Sequence, residues 1–424
     1  MLARLRSPLV LSLADQVLVS AANLALSFWL ISRWPPASFG LFAIVTSIAL
    51  SGLALHQALA GSQLPLMHAR AVDPAERSEV LATAWVIALG VAVLVGAATT
   101  AGFIVLGEAP GTAVPALAGG YVALNVCREH VRTYHFAEFE AGHALINDLV
   151  HASIVFVIVA SAAVLHAEID LTLVLTALTV ASAVAVLPTL LTRAGDFVAR
   201  IDQGVRRRAR SLWHEHGRWA LLGAGAAEMQ TRGHVAAVSA FFSVADLGII
   251  QAALMLLRPI GLLAMAWSKV ARPAMAHMFA QQRIAAAVRY ARLSAVGFAL
   301  ATLLYLAALW LAWPLLTEHV LPPAYHGLQA VVPLWGIATL VGLLRSIYSL
   351  EAQCVPIFRE AFYASAVAMV TVFLGLVLAV AFGTANSTVL AVATGEGAAL
   401  VVLLLILRRR FGRRRDLPAA AAAR

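Results

Sequence analysis

RWALLGAGAAEMQTRGHVAAVSAFF, residues 218–242, is an apolar run with Glu228, Arg232 and His234 at its centre. A membrane-crossing helix needs about 20 predominantly apolar residues. An ionised side chain at the middle of such a helix costs roughly 2.5–3.5 kcal/mol. The stretch therefore reads as a membrane helix whose charged face meets protein or a wet cavity, never lipid.

The rest of the chain supports that reading. Of its 424 residues 62% are hydrophobic and only 12% charged, and the mean hydropathy is +0.87. A soluble domain averages about 25% charged residues. Apolar runs follow one another at about 11–33, 38–62, 80–106, 112–134, 145–166, 170–192, 218–242, 245–270, 288–314, 326–350, 360–382 and 386–407. In lipid each run must satisfy its own backbone, so the runs are helices. The expected fold is all-α: a polytopic membrane protein of about twelve helices in two pseudo-symmetric six-helix lobes around a central cavity.

The formal charge of +9 does not indicate nucleic acid, because the arginines cluster at span ends and in short connections. Arg4 and Arg6 precede the first span, Arg70 and Arg77 follow the second, and Arg128 and Arg132 close the fourth. Arg206, Arg207, Arg208 and Arg210 lie between the sixth and seventh, Lys269, Arg272 and Arg283 follow the eighth, and RRRFGRRR follows the last. All fall on one side if both termini are cytoplasmic, as the excess of basic residues in cytoplasmic loops requires. The N-terminal run lacks a small-residue cleavage site and reads as an uncleaved span. The expected divisions are a lobe over 1–192, a basic cytoplasmic linker over 193–217, a lobe over 218–407 and a basic cytoplasmic tail over 408–424. Cys127 and Cys354 imply neither a disulfide framework nor a metal site.

The halves share landmarks. Gly40 in SFGLFAIV and Pro65 in SQLPLMHAR match Gly248 in DLGIIQAA and Pro273 in VARPAMAHM, with 248 − 40 = 208 and 273 − 65 = 208. RTYHFAE, from Arg132 to Glu138, matches RSIYSLE, from Arg345 to Glu351, at an offset of 213. Parallel repeats of this kind build transporters whose substrate site lies between the lobes.

Several polar residues inside spans are candidates for a site. Gln16, Ser20, Asn23 and Ser27, at i, i+4, i+7 and i+11, form one helix face. Such a stripe either binds neighbouring helices or lines a cavity. Glu228 and Arg232 are four residues apart and share a face, so they can pair. His234 reads as a packing histidine rather than a proton site. Arg258 precedes Pro259 with no acid within one turn, so it needs an anion from another helix, Glu228 for example, or from a ligand. Arg345, like Arg132, either joins the site or snorkels to the interface. His56 and Gln57 are weaker candidates, and Glu396 calls for a structural partner.

DQVLVSAANLALSFWLISRWPPASFGLFAI, VADLGIIQAALMLLRPIGLLAMAWSKVARPAMAHM and LPPAYHGLQAVVPLWGIATLVGLLRSIYSLEAQ resemble the first, eighth and tenth helix regions of polysaccharide-unit flippases. Those flippases, which serve O-antigen and exopolysaccharide biosynthesis, belong to the multidrug/oligosaccharidyl-lipid/polysaccharide (MOP) exporter superfamily. The resemblance implies a bacterial cytoplasmic membrane protein that translocates polyprenyl-pyrophosphate-linked oligosaccharide units by alternating access. The substrate-binding candidates are then Arg232, Arg258, Gln16, Asn23, Arg345 and Gln57. Arginine suits a pyrophosphate because its planar fork donates paired hydrogen bonds and stays charged. Glu228 is the coupling candidate: it neutralises Arg232 in the empty site, and when the pyrophosphate takes its place it takes a proton and couples transport to an ion gradient. Expected partners are the lipid-linked oligosaccharide, membrane lipid, polysaccharide polymerase and glycosyltransferases, with proton or sodium coupling; no cofactor, metal or nucleic acid is expected.

Three alternatives stay open. A cation-coupled multidrug exporter of the same superfamily should carry an acid within its first helix, whereas Asp15 stands near the start of the first span. A membrane enzyme of polysaccharide assembly should carry catalytic groups on a sizeable outer loop, and the outer loops are short. A non-transporting scaffold leaves the deep arginines unused.

Overall fold

The computed structural model describes residues 8–107, 111–197, 203–354 and 358–415. Among the described residues there is helix and no strand. The long helices are α1 (Pro8–Ile31), α2 (Pro36–His56), α3 (Pro74–Leu106), α4 (Val114–Ala137), α5 (Ala141–Val164) and α6 (Leu171–Thr192), followed by α7 (Arg218–Phe241), α8 (Val244–Ala280), α9 (Ile284–Leu311), α10 (Leu328–Gln353), α11 (Phe358–Phe382) and α12 (Ser387–Arg415). These match the twelve runs read from the sequence. Ten of the long helices are apolar enough to cross a membrane by length and composition. The other two are α4, which carries Arg128, Glu129 and Arg132, and α7, which carries Glu228 and Arg232.

Local chemistry sets the ends. Asp73 caps α3, its Oδ1 accepting from the Glu76 N–H at 2.7 Å, and Pro74 takes the first turn. Asp170 caps α6 and Ser243 caps α8 in the same way. Gly107, at φ +67°, closes α3 in the left-handed region. α8 is longer than its span in the sequence. Its 37 residues rise about 55 Å at 1.5 Å each, beyond a hydrocarbon core of about 30 Å.

The chain forms two compact units, Met1–Trp29 with Leu41–Glu228, and Leu30–Gly40 with Met229–Arg424. The first has a core built on Leu64, Trp85, Val126, Val131 and Tyr134. The second is held by smaller clusters such as Ala237, Val372, Leu376 and Ala391. Outer helix faces carry exposed apolar side chains, among them Val93, Leu94, Leu303, Leu304, Phe373 and Leu374. Apolar patches on that scale suit contact with lipid.

Within the second unit the segment 30–40 meets the start of α8 in a symmetric crossing. A Cβ on Gly40 would fall 2.0 Å from the Val244 carbonyl oxygen, and one on Gly248 would fall 1.9 Å from the Pro36 carbonyl oxygen. Both the glycines and the carbonyls stand 208 residues apart (248 − 40 and 244 − 36). The matched glycines thus allow two helix starts to approach backbone to backbone. The matched prolines diverge. Pro65 lies in a separate short helix (Leu64–Arg70) after a π turn at Gln57–Gly61, whereas Pro273 sits inside an unbroken α8.

The segment expected as a solvated linker, 193–217, contains helical turns at Ala194–Phe197 and Gln203–Leu212. The second is docked on α3 by Arg208, whose Nε lies 3.2 Å from Glu79, with Nη2 3.5 Å from Glu76. Of the expected tail over 408–424, residues 408–415 extend α12. Residues 416–424 lie outside the described residues, as do Arg4, Arg6 and Arg200.

Candidate functional site

In the first unit, α4 carries Asn125, Arg128, Glu129 and Arg132 at i, i+3, i+4 and i+7, one helix face. Arg132 donates to Asp15 Oδ2 on α1 through Nη2 at 2.6 Å and Nε at 3.1 Å. Its Nε also lies 3.0 Å from Asp148 Oδ2 on α5, and its Nη1 3.3 Å from Glu129. Arg128 donates to Asp148 Oδ1 at 2.5 Å and to Asn125 Oδ1 at 3.1 Å. Asp15 and Asp148 are 0% and 1% exposed, so their charges depend on these arginines. Gln57 donates to Glu129 at 3.2 Å, and the neighbouring His56 shares a hydrogen bond with His130 at 3.0 Å. Two arginines against three carboxylates leave one negative charge when all are ionised.

This cluster refines the expectations. Asp15 stands near the start of the first span, as expected, at the second residue of the apolar stretch Ala14–Ile31, but it is buried and paired there. Arg128 and Arg132 do not merely close a span at the interface, since α4 continues to Ala137 and turns them toward buried acids. Asp148 and Glu129, absent from the sequence candidates, complete the group. Asp148 sits in AGHALINDLVHA; an acid in an apolar run was the signal available for it.

Glu228 accepts a 2.5 Å hydrogen bond from Ser51 of α2. Gln16 donates to Ser20 at 3.5 Å along its own helix. Asn23 is exposed, and its carbonyl accepts from Ser27 at 2.8 Å. Part of the polar stripe is thus spent within α1.

In the second unit, Arg345 of α10 donates to Glu396 of α12, whose other oxygen accepts from Gln230 of α7 at 2.8 Å. Arg345 is therefore not a snorkelling residue, and Glu396 has the structural partners it needed. His234 is buried, bonded to Gln251 at 3.0 Å and edge-on to Trp335 at 5.1 Å, the setting of a packing histidine. Arg232 and Arg258 are both half-buried and near enough for their charges to oppose each other. Arg258 Nη1 rests 3.3 Å from Met255 Sδ, a weak acceptor. Among the described residues Arg258 has no carboxylate partner. Pro259 removes a backbone donor one residue later, and nearby the Leu256 carbonyl accepts from the Tyr305 hydroxyl at 2.6 Å.

The α4–α5 turn, tightened by Phe139 at φ +61°, also gathers His135, Glu140 and His143 with ligand atoms within 4.8 Å. The group has protein partners: Arg193 binds Glu140 at 2.8 Å and Thr189 binds His135 Nε2 at 3.1 Å.

The chain is similar to an inward-facing multidrug resistance MATE family transporter of the MOP superfamily, with TM-score 0.71 and 13% identity over 95% of this chain and 96% of that one. It is similar to the lipid II flippase MurJ in an inward closed conformation, with TM-score 0.68 and 10% identity over 94% and 87%. A MOP superfamily transporter from Pyrococcus furiosus, whose binding pocket is described as having reverse polarity, gives TM-score 0.61 and 14% identity over 96% and 95%. The fold is that of the MOP transporters. No family model and no curated protein matches the sequence. At such identities the likeness speaks for the fold alone, and it spans a multidrug resistance transporter and a lipid II flippase alike.

Proposed function

We propose that this chain is a flippase of the bacterial cytoplasmic membrane that moves polyprenyl-pyrophosphate-linked oligosaccharide units by alternating access, for surface polysaccharide assembly. Both termini are placed in the cytoplasm, following the arginine pattern. The observation that carries the reading is Arg258: a guanidinium at mid-helix beside a second arginine, without a carboxylate among the described residues. A pyrophosphate supplies the missing anion through charge-assisted hydrogen bonds. Arg232 shares that role, Gln16, Asn23, Gln57 and Arg345 are the further polar contacts proposed, and rocking of one lobe on the other exposes the site to each side in turn. The acid-rich cluster around Arg132, with its surplus negative charge, joins Glu228 as a place where a proton or sodium ion couples to transport.

Arg258→Ala is the test. Export of the polysaccharide should fall at least tenfold, which about 1.4 kcal/mol of lost interaction explains, while protein level in the membrane holds. Wild-type export from that variant removes the assignment.

A second reading is favoured by one specific observation. Asp15 inside α1, with Asp148 beside it, is the acidic feature that a cation-coupled multidrug exporter requires. A strain carrying the wild-type chain that gains resistance to organic cations, with no change in surface polysaccharide on deletion, would establish that reading instead.

A further inference from the structure

The second unit contains two cavities that neither the deep arginines nor the repeat explains. One, of about 240 Å³, lies among α8, α9 and α10; its wall includes Arg272, Arg345, Trp267, Ser346, Ser349 and Gln353. The other, of about 310 Å³, lies between α9 and α10 and is almost wholly apolar, with Leu303, Leu306, Trp310, Ile337 and Leu340 in its wall. They adjoin. Phe298 lines the first and Leu303 the second, about 7.5 Å apart along α9. Leu343 lines the first and Leu340 the second, about 4.5 Å apart along α10.

We propose that this seam binds one lipid-linked saccharide phosphate, its head in the polar cavity and its isoprenoid chain along the apolar one. The identity of the lipid rests on the flippase reading above. Three features select this occupant. Arg272 is exposed and has no carboxylate partner among the described residues; Arg345 in the same cavity is balanced by Glu396, so the uncompensated Arg272 calls for an anionic head. Trp267, packed against Phe298 at 5.5 Å and Tyr290 at 6.5 Å, offers an aromatic wall, and three serines with Gln353 offer more hydrogen bonds than a phosphate alone needs. A sugar uses both. Finally, the apolar cavity runs on α10 from Gln329 to Leu340, about 16.5 Å of helix, so a hydrocarbon chain continues from the head along it. The seam includes neither Arg232 nor Arg258, shares Arg345 with the proposed transport site, and serves as a holding site beside it.

The test is equilibrium binding to the purified full chain in detergent, with three probes: a fluorescent long-chain polyprenyl-pyrophosphate disaccharide, its short-chain analogue and inorganic pyrophosphate. Arg272→Ala should weaken both lipid probes about tenfold, the loss expected for a charge-assisted bond. Ile337→Trp, at a position 53% exposed, should weaken the long-chain probe about tenfold and leave the short-chain probe unchanged. Unchanged long-chain affinity in both variants overturns the site, as does displacement of the probe by an equal concentration of phosphatidylglycerol. Arg258→Ala separates the two proposals. Binding that behaves as stated, in a protein that does not transport this lipid, removes the flippase reading and keeps the seam. Transport that depends on Arg258, with binding indifferent to Arg272 and Ile337, removes the seam alone.

Discussion

Arg132 and Arg345 occupy matched places in the two repeats, 213 residues apart, yet their surroundings differ. Arg132 is held by Asp15 from α1, Asp148 from α5 and Glu129 from its own helix. Arg345 is held by a single acid, Glu396 of α12. The repeat has kept the arginine and moved its counter-charge to other helices. The consequence is a division of charge: acids exceed arginines around α4, while α8 retains an arginine without a carboxylate among the described residues. That division is what the proposed roles, coupling by a cation in one unit and binding of an anion in the other, rest on.

The comparison can be broken first at Arg132. Arg132→Ala strands the buried Asp15 and leaves Asp148 to Arg128 alone, and removing one partner of a buried pair costs about 3–5 kcal/mol. The variant should be largely absent from the membrane fraction, or melt far below wild type in detergent. Normal yield would show that the cluster does not hold α1, α4 and α5 together. Arg345→Ala should cost less, about 1.5–3 kcal/mol for a charged hydrogen bond, because Gln230 still donates to Glu396. Combining it with Glu396→Gln should restore part of the loss. Thermal melts of the two singles and the double give the coupling, and equal losses at Arg132 and Arg345 would erase the contrast between the units.

The glycine crossing sharpens the opposite point, since there the repeats agree. Gly40→Ala and Gly248→Ala each press a methyl into a carbonyl, an overpacking that costs typically about 1–3 kcal/mol. The two melting shifts should be similar, and a large difference would refute the symmetry of the crossing. The smallest effect belongs to Arg208→Ala. Its bridges to Glu76 and Glu79 are partly exposed and should contribute no more than about 1 kcal/mol. Limited proteolysis of the 193–217 segment would register its undocking even where the melt does not move.

Much of this was legible beforehand. Twelve apolar runs became twelve long helices because lipid leaves the backbone no other way to satisfy itself. The Gly40–Gly248 match pointed to a real close approach, since a residue without a Cβ is kept where two backbones meet. The acid cluster was not legible in the same way. Asp15 is 117 residues from Arg132, and both stood close enough to span ends to pass for interfacial charges. A shift of two or three residues in a helix boundary moves a side chain from water to the interior.

Hydropathy and spacing alone determined that this is an all-helical membrane protein with repeated halves, because the cost of exposing backbone to lipid is paid locally, run by run. Which acid answers which arginine was decided by the tertiary structure. Ion pairing acts over a few ångströms between helices remote in sequence, so helix register and packing, rather than the order of residues, fix where charge is balanced and where it is left for a ligand.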